Sequence, residues 1–262
     1  MSTLALRRRD QIGALSSRSV LSLVRQPSLV VPSLVFPLFF VALGAASFAR
    51  AINIPGFPKV DSFLDFALAG SVVQGVLFGS VTSATALATD IETGFFDRLL
   101  VAPSSRTAIL VGRLAGAMVY GLAQTLFFTI VLFPFGLSIR SGFLGLTAMM
   151  IGGLFTALAV GALMSAMAIK TGSSEAVQGS FPLIFILLFF SSAFFPRQTM
   201  DGVYRRIADL NPLSYLVEGF RSLTIDQLTL TAVLQTILIP AAISVVGIGI
   251  SLRTLHNRLA AS

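Results

Sequence analysis

The dipeptide Lys170-Thr171 ends a stretch with the outline of a phosphate-binding loop, in which glycines let backbone N–H groups cradle the phosphates of a nucleotide. Ile169 and Met164 stand where that loop requires glycine, so the chain has no route to ATP hydrolysis through it. The single histidine, His256, lies between Arg253 and Arg258 near the C-terminus and reads as a solvated or lipid-facing side chain, not as a base or ligand. Cysteine is absent and the carboxylates do not cluster at metal-ligand spacing, so neither a disulfide nor a zinc centre is expected. These residue types predict a non-catalytic chain that binds no cofactor of its own.

The elements that hold the polar residues are set by where charge is missing. Eighteen cations and eleven anions leave six uncharged runs of at least 21 residues, at 26–49, 66–89, 114–139, 141–169, 176–196 and 227–252. A hydrocarbon core about 30 Å thick is crossed by roughly 20 helical residues, so each run is long enough to span. A charge at mid-span costs about 2.5 to 3.5 kcal/mol, which explains why charges fall between the runs. With 55% hydrophobic and only 11% charged residues, the chain has too little polar sequence to cover a soluble all-helical core. The expectation is an all-α polytopic membrane protein, one domain over 1–262 with spans at 26–49, 66–89, 107–139, 141–169, 176–196 and 227–252. Five cations, Arg7, Arg8, Arg9, Arg18 and Arg25, precede the first span, against Arg50 and Lys59 in the loop after it. By the positive-inside rule both termini are cytoplasmic. The net charge of +7 thus serves topology and does not point to nucleic acid. No short apolar core with a small-residue cleavage site precedes the first span, so no signal peptide is expected.

Residues 1–25 carry a helical pattern, with Leu4, Ile12, Leu15, Val20 and Leu23 on one side and Arg7, Arg18 and Arg25 roughly opposite. This predicts an amphipathic helix on the cytoplasmic leaflet. Pro32 and Pro37 predict a bent or irregular first span. GxxxG-type pairs recur at Gly75/Gly79, Gly112/Gly116 and Gly153/Ala157/Gly161, and are read chiefly as close packing between helices of this chain. Within the spans only uncharged polar groups such as Gln74, Gln124, Gln178 and Gln235 occur. An ion-coupled carrier usually holds a charged group there, so a motor outside the chain is the better source of energy. Phe181, Phe185 and Phe189 form a stripe in the fifth span that suits either an apolar path, together with Gln74 and Gln178, or helix and lipid packing.

Two charged segments remain. In 90–106, Ile91, Phe95 and Leu99 alternate with Asp90, Asp97 and Arg98 until Pro103, which predicts a short amphipathic helix along the membrane or a plain interfacial loop. In 197–226, Met200, Val203, Ile207 and Leu210 recur at helical spacing, Asn211-Pro212 interrupts, and 213–223 resumes. Two short helices on or within the outer leaflet follow, with Glu218 and Arg221 spaced to pair.

The first segment resembles the ABC-2 family of ABC-transporter permeases, in particular the bacterial drug-resistance permeases of the daunorubicin type. The matching residues are Glu92, Gly94, Leu99, Leu100, Pro103, Ser104 or Ser105, and Arg106. Phe194-Phe195-Pro196 and Asn211-Pro212-Leu213-Ser214-Tyr215 with Glu218 and Arg221 extend the likeness. Asp90 replaces the commoner glutamate, and Arg197 stands where an apolar residue is usual. The resemblance implies a dimer with an identical or homologous permease chain, docked to two copies of a cytoplasmic ATPase that binds ATP and Mg. It also implies a coupling helix at 90–106, seated in that ATPase with the N-terminal helix beside it. Spans one, two and five would border the path, with the helices at Asn211 as a re-entrant lid. The function that follows is export of an apolar or amphipathic, drug-like or lipid-linked compound from the bacterial inner membrane. A polysaccharide or lipid-glycan exporter, a proton-coupled carrier and a non-transporting assembly factor stand as alternatives.

Overall fold

A computed structural model describes residues 2–101 and 106–261, and at 2–9, 23, 24, 100, 101, 106–108 and 261 the backbone alone. Pro103, Ser104 and Ser105 lie outside the described residues, as do the side chains of Leu4, Arg7, Leu23, Leu100 and Arg106. The described helices are α1 (Ser2–Val24), α2 (Pro27–Phe48), α3 (Phe63–Glu92), α4 (Phe95–Val101), α5 (Arg106–Leu132), α6 (Gly142–Thr171), α7 (Ser174–Gln178), α8 (Phe181–Phe189), α9 (Gly202–Leu210), α10 (Pro212–Ile225) and α11 (Leu230–Ala261). The chain is an all-helical polytopic membrane protein. Helices α2, α3, α5, α6 and α11 supply five segments long and apolar enough to cross a membrane, and 174–189 adds a shorter apolar one.

Helix α3 forms the axis of the bundle. Of its most apolar stretch 94% is buried, against 17% for α2 and 22% for α11, so α3 has neighbours on every side. It packs on α2, α5, α6, α7 and α10. Small residues permit this. A Cβ added at Gly75 would meet the Phe128 ring at 2.3 Å, and one at Gly79 would meet Tyr120 at 2.4 Å. The pair Gly112/Gly116 on α5 seats Leu15 and Ser19 of α1 at 2.5 and 2.6 Å from the same construction, so all these pairs serve contacts inside the chain.

Ser62 caps α3, accepting from Leu64 N, while Asp65 accepts from Ser62 N at 3.2 Å to complete a capping box. Asp65 is buried and also accepts from Ser138 N at 2.8 Å, which ties the start of α3 to the turn after α5. Helix α2 continues through Pro32 and Pro37 without interruption. Leu15 and Ser19 turn to α5, and Arg18, on the side opposite the apolar residues in the periodicity, pairs with Asp90 at 3.1 Å.

The fifth uncharged run differs from the other five. It is two short helices, α7 and α8, joined by a turn at Gly179-Ser180 just before Pro182, and its last residues, from Phe190 to Pro196, are not helical. Pro182 has no N–H to continue the helix from α7, so α8 starts anew there, and at its other end Ser191 Oγ bonds back to Leu188 O at 2.6 Å. Non-helical backbone at membrane depth persists only where protein satisfies it.

Candidate functional site

The broken end of α8 faces α2 and α3 across a cavity of ≈ 250 Å³. Seven of its sixteen lining residues are phenylalanine, among them Phe40, Phe63, Phe66, Phe189 and Phe194. Helical periodicity puts Ala67, Gly70, Ser71 and Gln74 of α3 on the one face that lines it. Gly70 is required there because a Cβ would stand 2.7 Å from the Ala193 carbonyl oxygen. Away from the cavity lining, Phe185 stacks on Phe78 at 6.0 Å and touches Phe40 at 5.8 Å, and Phe181 lies 4.3 Å from Phe78 between centroids. Of the path residues named from sequence, Gln74 and Phe189 line the cavity, whereas Phe181 and Phe185 pack on Phe78 and do not line it. Gln178 does not join them, being exposed in α7.

The end of α8 would carry unpaired carbonyls without α9 and α10. Asn211 donates Nδ2 to Leu187 O at 2.6 Å and to Phe190 O at 3.0 Å, while its Oδ1 accepts from Leu213 N at 2.9 Å. One side chain therefore closes α8 and caps α10, and Pro212 takes the first helical position, which needs no donor. Tyr204 donates to Phe189 O. Arg221 is buried and donates to Ser192 O at 2.7 Å, Ala193 O at 3.3 Å and Phe66 O at 3.4 Å, with its guanidinium 3.8 Å above the Phe66 ring. Burial pushes the Arg221 guanidinium down to about 9, so it stays charged at neutral pH. The predicted Glu218–Arg221 pair does not form. Glu218 takes Arg197 instead, with Nε 2.5 Å from Oε1, and Arg197 also reaches Asp209 at 3.2 Å and lies 4.5 Å over the Tyr215 ring. Tyr215 in turn donates to Asp209 O at 2.8 Å. Freed carbonyls inside outrank a neighbour on the same helix.

At the other end of α3 the charges pair with each other. Asp90 lies between Arg113 of α5, its ion-pair partner, and Arg18 of α1, 3.1 Å away; Arg18 also stands 4.0 Å over the Phe95 ring. Glu92 accepts from Ser174 N at 2.6 Å and Ser174 Oγ at 3.0 Å, holding the first turn of α7. Asp97 of α4 meets Arg258 of α11 at 3.8 Å, and Arg258 donates to Ile169 O at 3.0 Å. Arg98 bonds locally to Gly94 O at 3.3 Å. Gly94 has a φ of 67°, a left-handed conformation in which glycine is strongly favoured, and it ends α3 and restarts the chain as α4. The phase shift there makes Phe96, not Phe95, the buried anchor at 3% exposure. A single periodicity drawn through Ile91, Phe95 and Leu99 crosses that break. Phe96 and Arg258 are thus residues that sequence reasoning passed over, and for Phe96 the glycine between two amphipathic stretches was the available signal.

Comparison with known proteins agrees with this architecture. Residues 10–225 match the family model described as ABC-2 type transporter. The chain is 32% identical over 199 residues to the daunorubicin resistance ABC transporter permease protein DrrB1 of Streptomyces coeruleorubidus, across 74% of this chain and 66% of that one. It is 32% identical over 224 residues to the putative transport permease ycf38 of Pyropia yezoensis, across 82% and 74% of the two chains. Against the inner membrane transport permease YadH of Escherichia coli K12 identity is 25% over 204 residues, 74% of each. The match thus spans just under two thirds of the Streptomyces protein.

Proposed function

Because the chain belongs to the ABC-2 type transporter family, as a non-catalytic membrane subunit, we propose that it exports an apolar or amphipathic compound, drug-like or lipid-linked, from a bacterial cell. ATP and Mg are used by a separate cytoplasmic ATPase, present in two copies, and two permease chains, identical or homologous, form the membrane unit. In this reading the chain crosses the inner membrane six times, the short pair α7–α8 with 190–196 making the fifth crossing, and both termini are cytoplasmic. The segment 90–106 is the coupling element that receives the ATPase. The re-entrant pair α9–α10 closes the path from outside.

One observation carries the reading. Residues 90–97 are tied by side chains to four other helices: α1 through Arg18, α5 through Arg113, α7 through Ser174 and α11 through Arg258. A push on α4 would be felt across the bundle and at α3, whose far end walls the cavity. The cavity's aromatic lining supports an apolar cargo, as does the daunorubicin relative's name. It has no tyrosine or tryptophan to stack on sugar rings, which disfavours a glycan.

The test is to purify the chain with the ATPase encoded beside it and to follow ATP-driven uptake of a hydrophobic fluorescent dye into inside-out proteoliposomes. The expected result is a stable complex whose uptake falls at least about tenfold in Glu92→Ala and in Leu99→Ala/Leu100→Ala. Uptake driven by a pH gradient in vesicles holding this chain alone would instead establish a carrier.

A further inference from the structure

A second cavity, of ≈ 620 Å³, lies where α10 ends and α11 begins, against the loop after α2 and the turn before α6. It shares no lining residue with the phenylalanine-walled cavity. Three cations and two carboxylates line it, namely Lys59, Arg140, Arg221, Glu218 and Asp226. Two of these are spent elsewhere, since Arg140 donates to Asp61 at 2.7 Å and Glu218 holds Arg197. Lys59 and Asp226 have no side-chain partner among the described residues. Arg221 is only partly spent. A guanidinium carries five N–H donors. Those on Nε and Nη2 serve the carbonyls of Phe66, Ser192 and Ala193, while Nη1 bonds to none of the described residues. A buried charged donor left without an acceptor is costly. Arg221 is 4% exposed, and the five sealed side-chain atoms without partners do not include its Nη1, so that edge meets the cavity the residue lines.

We infer that this cavity is a phosphate site, which takes the phosphodiester of a headgroup between the Nη1 edge of Arg221 and the Lys59 ammonium. A guanidinium edge and an ammonium are the side-chain groups best suited to phosphate oxygens. Lys59 and Arg221 against Asp226 leave one positive charge, which matches a phosphodiester monoanion. Gln235 on the same wall offers an amide donor to a further oxygen, and Asp226 accepts from a hydroxyl beyond the phosphate. The depth suits a headgroup. Residues 56–59, 140 and 222–226 fall between the membrane-crossing segments, and Gln235 follows closely on Leu230, where the last segment starts. Basic pockets between spanning helices hold phosphate headgroups of lipids.

The full chain, stripped of lipid in dodecyl maltoside, is titrated with three probes, and the first molecule bound is followed by native mass spectrometry. Dioleoylphosphatidylglycerol is the lipid, dioleoylglycerol has the same tails without phosphate, and glycerophosphoglycerol is the same phosphodiester without tails. The phosphatidylglycerol should bind at least about tenfold more tightly than dioleoylglycerol, the range of one charge-assisted hydrogen bond. Lys59→Gln should weaken it about three- to fivefold, as expected for a solvated cation, with thermal unfolding of the lipid-free chain unchanged. Ser222→Phe, which adds bulk to the wall, should weaken it further, and Arg206→Gln, at an exposed cation of α9 outside the cavity, should have no effect. Arg221 is left in place because its loss would also strand the carbonyls. Equal binding of phosphatidylglycerol and dioleoylglycerol overturns the inference, and so does a failure of all three probes to bind. An affinity untouched by both Lys59→Gln and Ser222→Phe, or lowered as much by Arg206→Gln, overturns it as well. Glycerophosphoglycerol bound at least about tenfold less tightly than the lipid assigns the site to a membrane lipid, and equal binding assigns it to a soluble phosphodiester. The phosphate site stands in both cases.

Discussion

Arg113 and Arg221 are both buried guanidiniums, at opposite ends of the bundle, and they answer to different partners. Arg113 faces the Asp90 carboxylate, with Arg18 on its other side, while Arg221 faces three backbone carbonyls and the Phe66 ring. The end at Asp90 is therefore a set of ion pairs between helices, several partly exposed. Such pairs are worth little each, are screened by salt and can be exchanged for others. The end at Arg221 is a repair of broken backbone, where a donor lost strands a buried acceptor. On the proposed coupling role, the end at Asp90 needs contacts that hold yet can rearrange. An end that frames a cavity needs contacts that stay.

Substitutions at Arg221, at the Asp90–Arg113 pair and at Asp97 test the difference between the two ends. The largest effect is expected for Arg221→Leu, which strands the carbonyls of Phe66, Ser192 and Ala193 and should lower stability by about 3 to 5 kcal/mol, read by thermal unfolding in nanodiscs. Arg221→Lys keeps the charge but not the fork and should recover less than half. If Leu costs under about 1 kcal/mol, the Arg221 network is not what holds 190–196. Next comes Asp90→Asn, which leaves Arg113 without its counter-charge and should cost about 1 to 2 kcal/mol, because the pair is 10% and 18% exposed and retains some water. Adding Arg113→Met should restore part of that loss, with a coupling of about 1 kcal/mol in the double-mutant cycle. A coupling of zero would mean that Asp90 serves α4 alone. The smallest effect is Asp97→Ala, whose partner Arg258 lies 3.8 Å off with both side chains solvated, and the expected loss is below about 0.5 kcal/mol and absent in high salt. A loss above 1 kcal/mol would make the two ends alike.

Local chemistry carried much of this into the sequence. The uncharged runs mark the five long apolar helices because a bilayer penalises charge irrespective of what packs beside it. Asn211-Pro212 marks the junction of α9 and α10 because capping preferences and the missing proline donor act within a few residues. The fifth run misleads for the same reason: hydropathy registers that 176–196 is apolar, whereas its helix breaks depend on Pro182 and on side chains supplied by 204–221. Glu218 and Arg221 misled likewise. Spacing permits their pair, but burial sends Arg221 to the carbonyls and leaves Glu218 for Arg197, 21 residues away.

By itself, then, the sequence determined that the chain lives in a membrane, where it turns, and that it carries no nucleotide loop, since composition and spacing act locally. Only the tertiary structure decided which polar groups are satisfied and which are not. Gln74 and Gln124 look alike in the sequence, each a lone amide in an uncharged run. Packing brings Ser33 to Gln124 Nε2 and brings no acceptor to Gln74 Nε2, because a hydrogen bond depends on distances of about 3 Å between helices far apart in the chain.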